Sequence, residues 1–253
     1  MTKVLVSDTV DQSGIEILSQ VSQVDQRIGL PPEKLKAIIG GYDALMIRSG
    51  TQVTSEVIEA GEKLRIIGRA GVGVDNVDVK AATKRGVIVV NSPGGNTIAA
   101  AEHALALLLS LSRHIPKAHA STISGGWDRK KFVGNELYKK TLGVVGLGKI
   151  GSHVAKVANA MGMDVMAFDP FVSSERALQM QVRLGSIEDL FQDADFITLH
   201  LPRTPETENL VDLKLLSTMK KNARLVNCAR GGIINESDLA EALKSGVIAG
   251  AAL

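Results

Sequence analysis

The feature that most constrains this chain is a set of three glycines spaced as G-x-G-x-x-G, at Gly146, Gly148 and Gly151. A strand-like run, TLGVVG over 141–146, leads into the first glycine, and a run with helical spacing follows over 149–162. The next strand-like run, DVMAFD, ends at Asp169. A strand, a glycine loop, a helix and a second strand ending in an acid predict a dinucleotide-binding βαβ unit, with a purely structural turn as the alternative.

Each part of this pattern predicts a separate contact. Gly146 permits the tight turn, Gly148 lets the backbone approach a pyrophosphate, and Gly151 lets the helix pack closely on the strand. Backbone N–H groups near Lys149 and Ile150, where the helix begins, are expected to donate to phosphate oxygens.

Asp169 indicates which dinucleotide binds. Its carboxylate can accept hydrogen bonds from both ribose hydroxyls, and it would repel the 2′-phosphate of NADP. No Arg or Lys follows at 170–172 to compensate for that repulsion. The sequence therefore predicts NAD as the cofactor.

Short β-branched runs alternate with helix-like segments, which predicts βαβ units and parallel sheets buried on both faces. Strands are expected at 3–7, 43–48, 65–70, 87–92, 141–146, 164–169, 195–200, 223–228 and 247–252, and helices at 55–64, 149–162 and 235–246. The predicted fold class is α/β, with two Rossmann-like or flavodoxin-like parallel-sheet domains, the second a doubly wound NAD-binding domain.

The alternation is interrupted in the middle of the chain. A long apolar helix is expected over 97–115, and a polar, basic arm over 124–140. We interpret this segment as a linker between a first domain over 1–95 and a second over 96–253, which includes the helix and the arm.

Composition argues against several functional classes. The 29 basic and 27 acidic residues nearly balance, without a run of like charges that would indicate a nucleic-acid tail or a polybasic membrane anchor. Neither a membrane span nor a signal peptide is expected. One cysteine, Cys228, fits a reducing compartment and hence a cytoplasmic location. The sequence contains neither paired cysteines nor a metal-binding histidine motif, so we expect no metal site.

Other segments carry candidate chemistry with open alternatives. Amides at Val72 and Gly73 could bind an anion, but a plain turn is favoured because Asn76 replaces the third glycine of a similar pattern. Arg230 follows a strand and could grip a carboxylate or lie in solvent. His200 follows another strand and could act as an acid or base, but packing or capping is favoured.

Two further features have mainly structural interpretations. Cys228 is most simply a buried strand residue. Arg129, Lys130 and Lys131 form a basic patch beside Trp127, which is either a solvated arm or a phosphate-steering surface.

The segments GRAGVGVDNVD, NSPGGNT, AEHALALLL, GVVGLGKIGS, FDP, DFITLHLPRTPET and NCARGGIINE, taken in order, resemble the D-2-hydroxyacid dehydrogenase family over essentially the whole chain. Within the family the motifs most resemble the branch that oxidises 3-phospho-D-glycerate to 3-phosphohydroxypyruvate with NAD. The resemblance implies that the first domain binds substrate and the second binds NAD. Other branches, acting on glyoxylate, hydroxypyruvate or lactate, and a non-catalytic dinucleotide sensor are the alternatives.

The resemblance also implies roles for individual residues. Arg230 would act in catalysis by binding the substrate's carboxylate and carbonyl oxygen, with Arg48, Val72 and Gly73 as further substrate contacts. Lys149 and Ile150 would contact the pyrophosphate, and Asp169 the ribose. The nicotinamide would be lined by Leu201, Pro202, Cys228 and Ala229. The segment 97–140 would form a homodimer interface.

One part of the family pattern is missing from these residues. The family moves the hydroxyl proton with a histidine paired to a glutamate, and both follow a motif beginning AGAAL, inside which the sequence stops at Leu253. We therefore expect the chain alone to be nearly inactive, because losing a positioned proton-transfer group costs roughly 10²- to 10⁴-fold in rate.

Overall fold

The computed structural model describes residues 1–253. The chain divides into two compact units, Met1–Asn96 and Thr97–Leu253. None of its helices combines the length and apolar character that crossing a membrane requires.

The first unit contains a parallel sheet of five strands. These are β1 Lys3–Val6, β2 Gln23–Gln26, β3 Ala44–Ile47, β4 Ile66–Arg69 and β5 Ile88–Asn91. The intervening helices are α1 Gln12–Ser19, α2 Pro32–Ile38, α3 Ser55–Ala60 and α4 Val79–Arg85, with a 3₁₀ turn at Ile39–Gly41. The strand order β2-β1-β3-β4-β5 is that of flavodoxin-like sheets. Leu5, Leu45, Ile47 and Ile67 fill its core.

The second unit contains a parallel sheet of six strands. These are β6 Thr141–Val145, β7 Asp164–Phe168, β8 Arg183–Leu184, β9 Phe196–Leu199, β10 Arg224–Asn227 and β11 Gly250–Ala252. Its helices are α5 Thr97–Arg113, α6 Ile115–Ile123, α7 Lys149–Ala160, α8 Ser174–Gln179, α9 Ile187–Asp193, α10 Leu213–Leu216 and α11 Glu236–Lys244, with a 3₁₀ turn at Arg129–Phe132.

The strand order of the second sheet is β11-β10-β9-β6-β7-β8. Counted within the unit, this is the order 6-5-4-1-2-3 of a doubly wound dinucleotide-binding sheet. The strands β7 and β8 are added on one side of β6, whereas β9, β10 and β11 are added on its other side, which makes the boundary between β6 and β9 a switch point. Ligands of such sheets bind outside the carboxyl ends of the strands at this point. The predicted fold class is confirmed, and all nine predicted strands are present in shortened form.

Helix α5 is more than the linker that the sequence suggested. Its buried residues Ala101, Ala104 and Leu108 follow helical spacing, and the helix packs against α7, β10 and β11. It ends at Arg113, two residues before the predicted end, because His114 adopts a left-handed conformation with φ of 53°. Helix α6 follows at once and was not predicted.

The packing of α5 makes a testable prediction about the core of the second unit. Leu108 is 1% exposed and its neighbour Leu109 is 36% exposed. We expect Leu108→Ala to lower the free energy of unfolding by about 2–5 kcal/mol through lost burial and a residual cavity. Leu109→Ala is the matched control and should cost less than about 1 kcal/mol. Urea denaturation followed by circular dichroism measures both, and equal effects would contradict this assignment of the core.

Candidate functional site

The glycine loop after β6 lies at the switch point of the second sheet. Gly146 has φ of +96°, a conformation that favours glycine. A Cβ on Gly146 would lie 2.8 Å from the carbonyl oxygen of His200, which follows β9. Conformation and close approach thus both require glycine here, and the loops after β6 and β9 are in contact.

The other two glycines of the loop differ in their surroundings. A Cβ on Gly151 would lie 1.9 Å from the carbonyl oxygen of Gly146, so α7 could not pack where it does with any larger residue. A Cβ on Gly148 would meet no atom within 4 Å. Packing of the chain therefore does not require Gly148, and the space beside its backbone is open to a ligand.

Helix α7 begins beside this open space without a side-chain cap. Its N-cap is Gly148, whereas the N-cap side chains of α8 to α11 each accept a hydrogen bond from a backbone N–H in the first turn. Lys149 and Ile150, predicted to mark the start of the helix, are its first two residues. A helix start without an N-cap side chain, together with the positive end of the helix dipole, favours an anion at this position.

Asp169 follows β7 directly and faces the glycine loop. One carboxylate oxygen accepts from the Leu147 N–H at 2.7 Å, and the other accepts from the Phe171 N–H at 2.9 Å. A carboxylate offers about four acceptor positions, so two remain for other donors. Asp169 thus also fixes the glycine loop, a role that the sequence did not indicate.

The loop after β9 carries His200, Leu201 and Pro202. The His200 Nε2 lies 3.0 Å from the Thr198 hydroxyl, and burial lowers the pKa of His200 to about 4. The imidazole is therefore neutral at pH 7, which agrees with the packing interpretation. Leu201 lies with its Cδ2 3.0 Å from the Cβ position of Gly146, and Pro202 is exposed.

The loop after β10 is held by Asn227, which the sequence analysis missed. Its side chain accepts from the Ala229 N–H at 2.9 Å and donates to the Arg230 carbonyl at 2.9 Å. The Arg230 guanidinium donates to the Ala229 carbonyl at 2.7 Å. Burial raises the pKa of the Cys228 thiol, so it stays protonated and is a poor nucleophile. These residues line a cavity of about 290 Å³.

The first unit gathers polar side chains at the carboxyl edge of its sheet. Arg48 follows β3, and its N–H donates to the Asp8 carboxylate at 2.6 Å. Val72 and Gly73 follow β4, and the Val72 carbonyl accepts from the Asn91 side chain at 2.5 Å. Arg69, the last residue of β4, also lies at this edge and was not a predicted site residue.

The basic patch of the arm is solvent-exposed. Arg129, Lys130 and Lys131 lie on the 3₁₀ turn, Lys131 pairs with Asp128, and Trp127 is 77% exposed.

The second unit fits a dinucleotide by the geometry of its own residues. The open space at Gly148, the uncapped start of α7 and the acceptor positions of Asp169 all lie at the switch point. The residues after Asp169 are Pro170, Phe171 and Val172, which offer no cation to a 2′-phosphate. The arrangement suits a pyrophosphate joined to an unphosphorylated ribose.

Comparison with known proteins identifies the family. Residues 105–253 match the model of the NAD binding domain of D-isomer specific 2-hydroxyacid dehydrogenases. The chain belongs to this family. Its second unit is the family's NAD-binding domain, and the prediction of NAD as cofactor is confirmed.

Individual relatives are similar over nearly the whole chain. D-3-phosphoglycerate dehydrogenase of Synechocystis sp. is 60% identical over 253 residues, which are 100% of this chain and 46% of the relative. The chain thus spans about half the length of the curated relatives it matches.

Solved structures are similar as well. The TT0316 protein from Thermus thermophilus has a TM-score of 0.91 and 34% identity, covering 99% of this chain and 80% of that one. An NAD-dependent formate dehydrogenase from Staphylococcus aureus, solved with NAD, has a TM-score of 0.86 and 30% identity, covering 99% and 80%.

The contrast between Gly148 and Gly151 predicts different effects of the same substitution. Gly148→Ala should leave the thermal midpoint within about 2 °C of wild type, because its Cβ points into open space, and should weaken NAD binding at least tenfold, because a pyrophosphate bound at the start of α7 would meet that Cβ. Gly151→Ala should lower both stability and NAD affinity. Calorimetric titration with NAD and thermal unfolding measure these effects in the full-length protein. Wild-type NAD affinity in Gly148→Ala would show that the backbone does not approach the ligand there.

Proposed function

We propose that the whole protein catalyses the NAD-dependent oxidation of 3-phospho-D-glycerate to 3-phosphohydroxypyruvate, the reaction that leads into serine synthesis. The observation that carries the proposal is the open start of α7, which has no N-cap side chain and lies beside Asp169. This arrangement offers space and a positive helix end to the pyrophosphate of a dinucleotide, and a carboxylate to its ribose. The choice of substrate is supported by the names of the curated relatives, which are D-3-phosphoglycerate dehydrogenases at up to 60% identity.

In this proposal the second unit binds and orients NAD. The α7 amides at Lys149 and Ile150 donate to the pyrophosphate beside the backbone of Gly146, Gly148 and Gly151, and Asp169 accepts from the adenosine ribose. Leu201, Pro202 and the backbone of Cys228 and Ala229 would hold the nicotinamide. When bound, NAD would supply the acceptor for the hydride that leaves C2 of the substrate.

The substrate is bound by cations and backbone amides. Arg230 holds the substrate's carboxylate and the oxygen on C2, where its positive charge stabilises the developing carbonyl. Val72 and Gly73 donate backbone N–H groups to the carboxylate. Arg48 and Arg69, at the carboxyl edge of the first sheet, attract the remaining anionic group. The hydroxyl proton passes to the histidine–glutamate pair implied by the family resemblance.

A steady-state assay of the full-length protein tests this function. We expect NAD-dependent turnover of 3-phosphoglycerate at a kcat/KM at least tenfold above that of glycerate or lactate, because the phosphate adds charge-assisted contacts. Asp169→Asn should lower the preference for NAD over NADP at least tenfold, since it removes the charge that repels the 2′-phosphate. Asp164→Asn, at the exposed start of the same strand, is the matched control. Faster turnover of an unphosphorylated acid would instead favour another branch of the family.

We also propose that the protein is a cytoplasmic homodimer. The single cysteine supports a reducing compartment. The dimer is supported by α6, a nine-residue helix without a buried side chain, since so short a helix is marginal in water unless something packs on it. Ile123, Trp127 and Val133, on α6 and the arm, are 73%, 77% and 75% exposed. A second copy covering this surface would remove these apolar groups from water.

A charge placed on this surface should disrupt the dimer. Ile123→Asp is expected to weaken self-association by about tenfold or more, because burying an unpaired carboxylate is costly. Ile17→Asp, on the eight-residue helix α1 of the first unit and 64% exposed, is the matched control. Sedimentation equilibrium measures both, and a monomeric wild type or unchanged association of Ile123→Asp would contradict the proposed dimer.

A further inference from the structure

Asn76 is a buried polar residue that connects two loops at the carboxyl edge of the first sheet. It is 6% exposed. Its side-chain N–H groups donate to the carbonyls of Arg48 at 2.7 Å and Thr51 at 2.6 Å. Its side-chain oxygen accepts from Nε of Arg69 at 2.9 Å. One amide thus joins the loop that carries Arg48 to the guanidinium of Arg69.

The loop that carries Arg48 is also fixed from its other side. The Asp8 carboxylate accepts from the N–H groups of Arg48 at 2.6 Å and Thr51 at 3.1 Å, and from the Thr51 hydroxyl at 2.9 Å. Together, Asp8 holds the N–H groups of this loop and Asn76 holds its carbonyls. Arg69 is therefore tied to a rigid segment, not to a mobile surface loop.

The hydrogen bond at Nε sets the orientation of the Arg69 guanidinium. With Nε directed at Asn76, the pair of terminal nitrogens is the edge left to bind a ligand, and neither donates to another group of the chain. Nη1 lies over the backbone of Gly71, where a Cβ would come within 2.3 Å of it. This fork of two parallel donors matches the oxygens of a carboxylate or a phosphate.

The partner of Arg69 is neutral, which preserves its charge. No carboxylate pairs with Arg69 in the chain. An aspartate at position 76 could also accept from Nε, but it would cancel the positive charge that attracts an anion. An amide supplies the acceptor without the charge, and its two N–H groups satisfy carbonyls that a carboxylate would repel.

We propose that Asn76 is a positioning residue for substrate binding. It holds the Arg69 fork in a fixed direction relative to Arg48, with the charge of Arg69 uncompensated, so that the two arginines receive the anionic end of the substrate. This proposal rests on the proposed function. Because Asn76 acts through Arg69, it determines the KM for the anionic substrate and leaves kcat and NAD binding nearly unchanged.

A double-mutant cycle in the full-length protein tests the proposal. Asn76→Ala and Arg69→Ala should each raise the KM for 3-phosphoglycerate by about tenfold or more, as expected for loss of a hydrogen bond to a charged group. The double variant should resemble Arg69→Ala alone, since the position of an absent guanidinium no longer matters. Arg65→Ala, at the opposite end of the same strand segment and exposed, is the matched control. The proposal would be overturned if the KM increases of the two single variants multiplied in the double variant, or if kcat fell while KM stayed unchanged.

Two further variants address folding and charge. If Asn76→Ala does not fold, Arg69→Lys keeps the cation and leaves Asn76 in place but removes the Nε donor, and its KM should still rise. A wild-type KM for Arg69→Lys would overturn the proposal. Asn76→Asp should raise KM as well, although the acceptor for Nε is retained, and a wild-type KM for this variant would contradict the role of charge.

If 3-phosphoglycerate is not the substrate, the experiment gives a different result. Wild-type protein would then turn over a plain hydroxy acid and not 3-phosphoglycerate. The KM for that acid, measured in the same double-mutant cycle, would still show whether Asn76 acts through Arg69, because the cycle measures the coupling between the two side chains. Additive effects with that acid would reject the positioning role in its own right.

Discussion

The close contact between α7 and the loop after β6 is the constraint on which the second unit depends. The carbonyl oxygen of Gly146 occupies the place where a Cβ of Gly151 would lie, at 1.9 Å. This contact brings the start of the helix to the carboxyl end of β6, at the switch point of the sheet. The helix start without an N-cap side chain, the open space at Gly148 and the carboxylate of Asp169 meet there as a result. The steric requirement for glycine at positions 146 and 151 thus determines where the candidate anion-binding site lies.

Most of the fold follows from residue patterns in the sequence, and the exceptions have physical causes. Seven of the nine predicted strands contain buried residues, and the other two, β5 and β11 at sheet edges, are still apolar runs, so their apolar residues identify all nine. The two strands that the sequence did not reveal, β2 and β8, lie at sheet edges and are polar or very short. An edge strand has a neighbour on one side only, so it needs fewer apolar residues. Helix α6 was missed because none of its residues is buried.

The candidate site was predictable where one local segment carries the chemistry. The glycines, Lys149, Ile150 and Asp169 belong to one strand–loop–helix–strand pattern, and the structure places them together. Asn76 and Arg69 illustrate what such patterns do not reveal. Asn76 attracted notice only as the residue that breaks a second glycine pattern, whereas its hydrogen bonds reach Arg48 and Thr51, 28 and 25 residues away in the chain. Contacts of this kind depend on which strands become neighbours, and no local spacing encodes them.

The burial of α5 has a consequence for dissecting the protein into fragments. The family model begins at residue 105, and the cofactor-binding pattern itself begins only at β6. Ala101 and Ala104, at 0% and 1% exposed, precede both of these starting points yet belong to the same apolar cluster as Leu142 and Val144 of β6. A fragment cloned from either point would leave part of that cluster open to water. An expression boundary for an isolated NAD-binding unit therefore belongs before Thr97, in the exposed stretch 92–96.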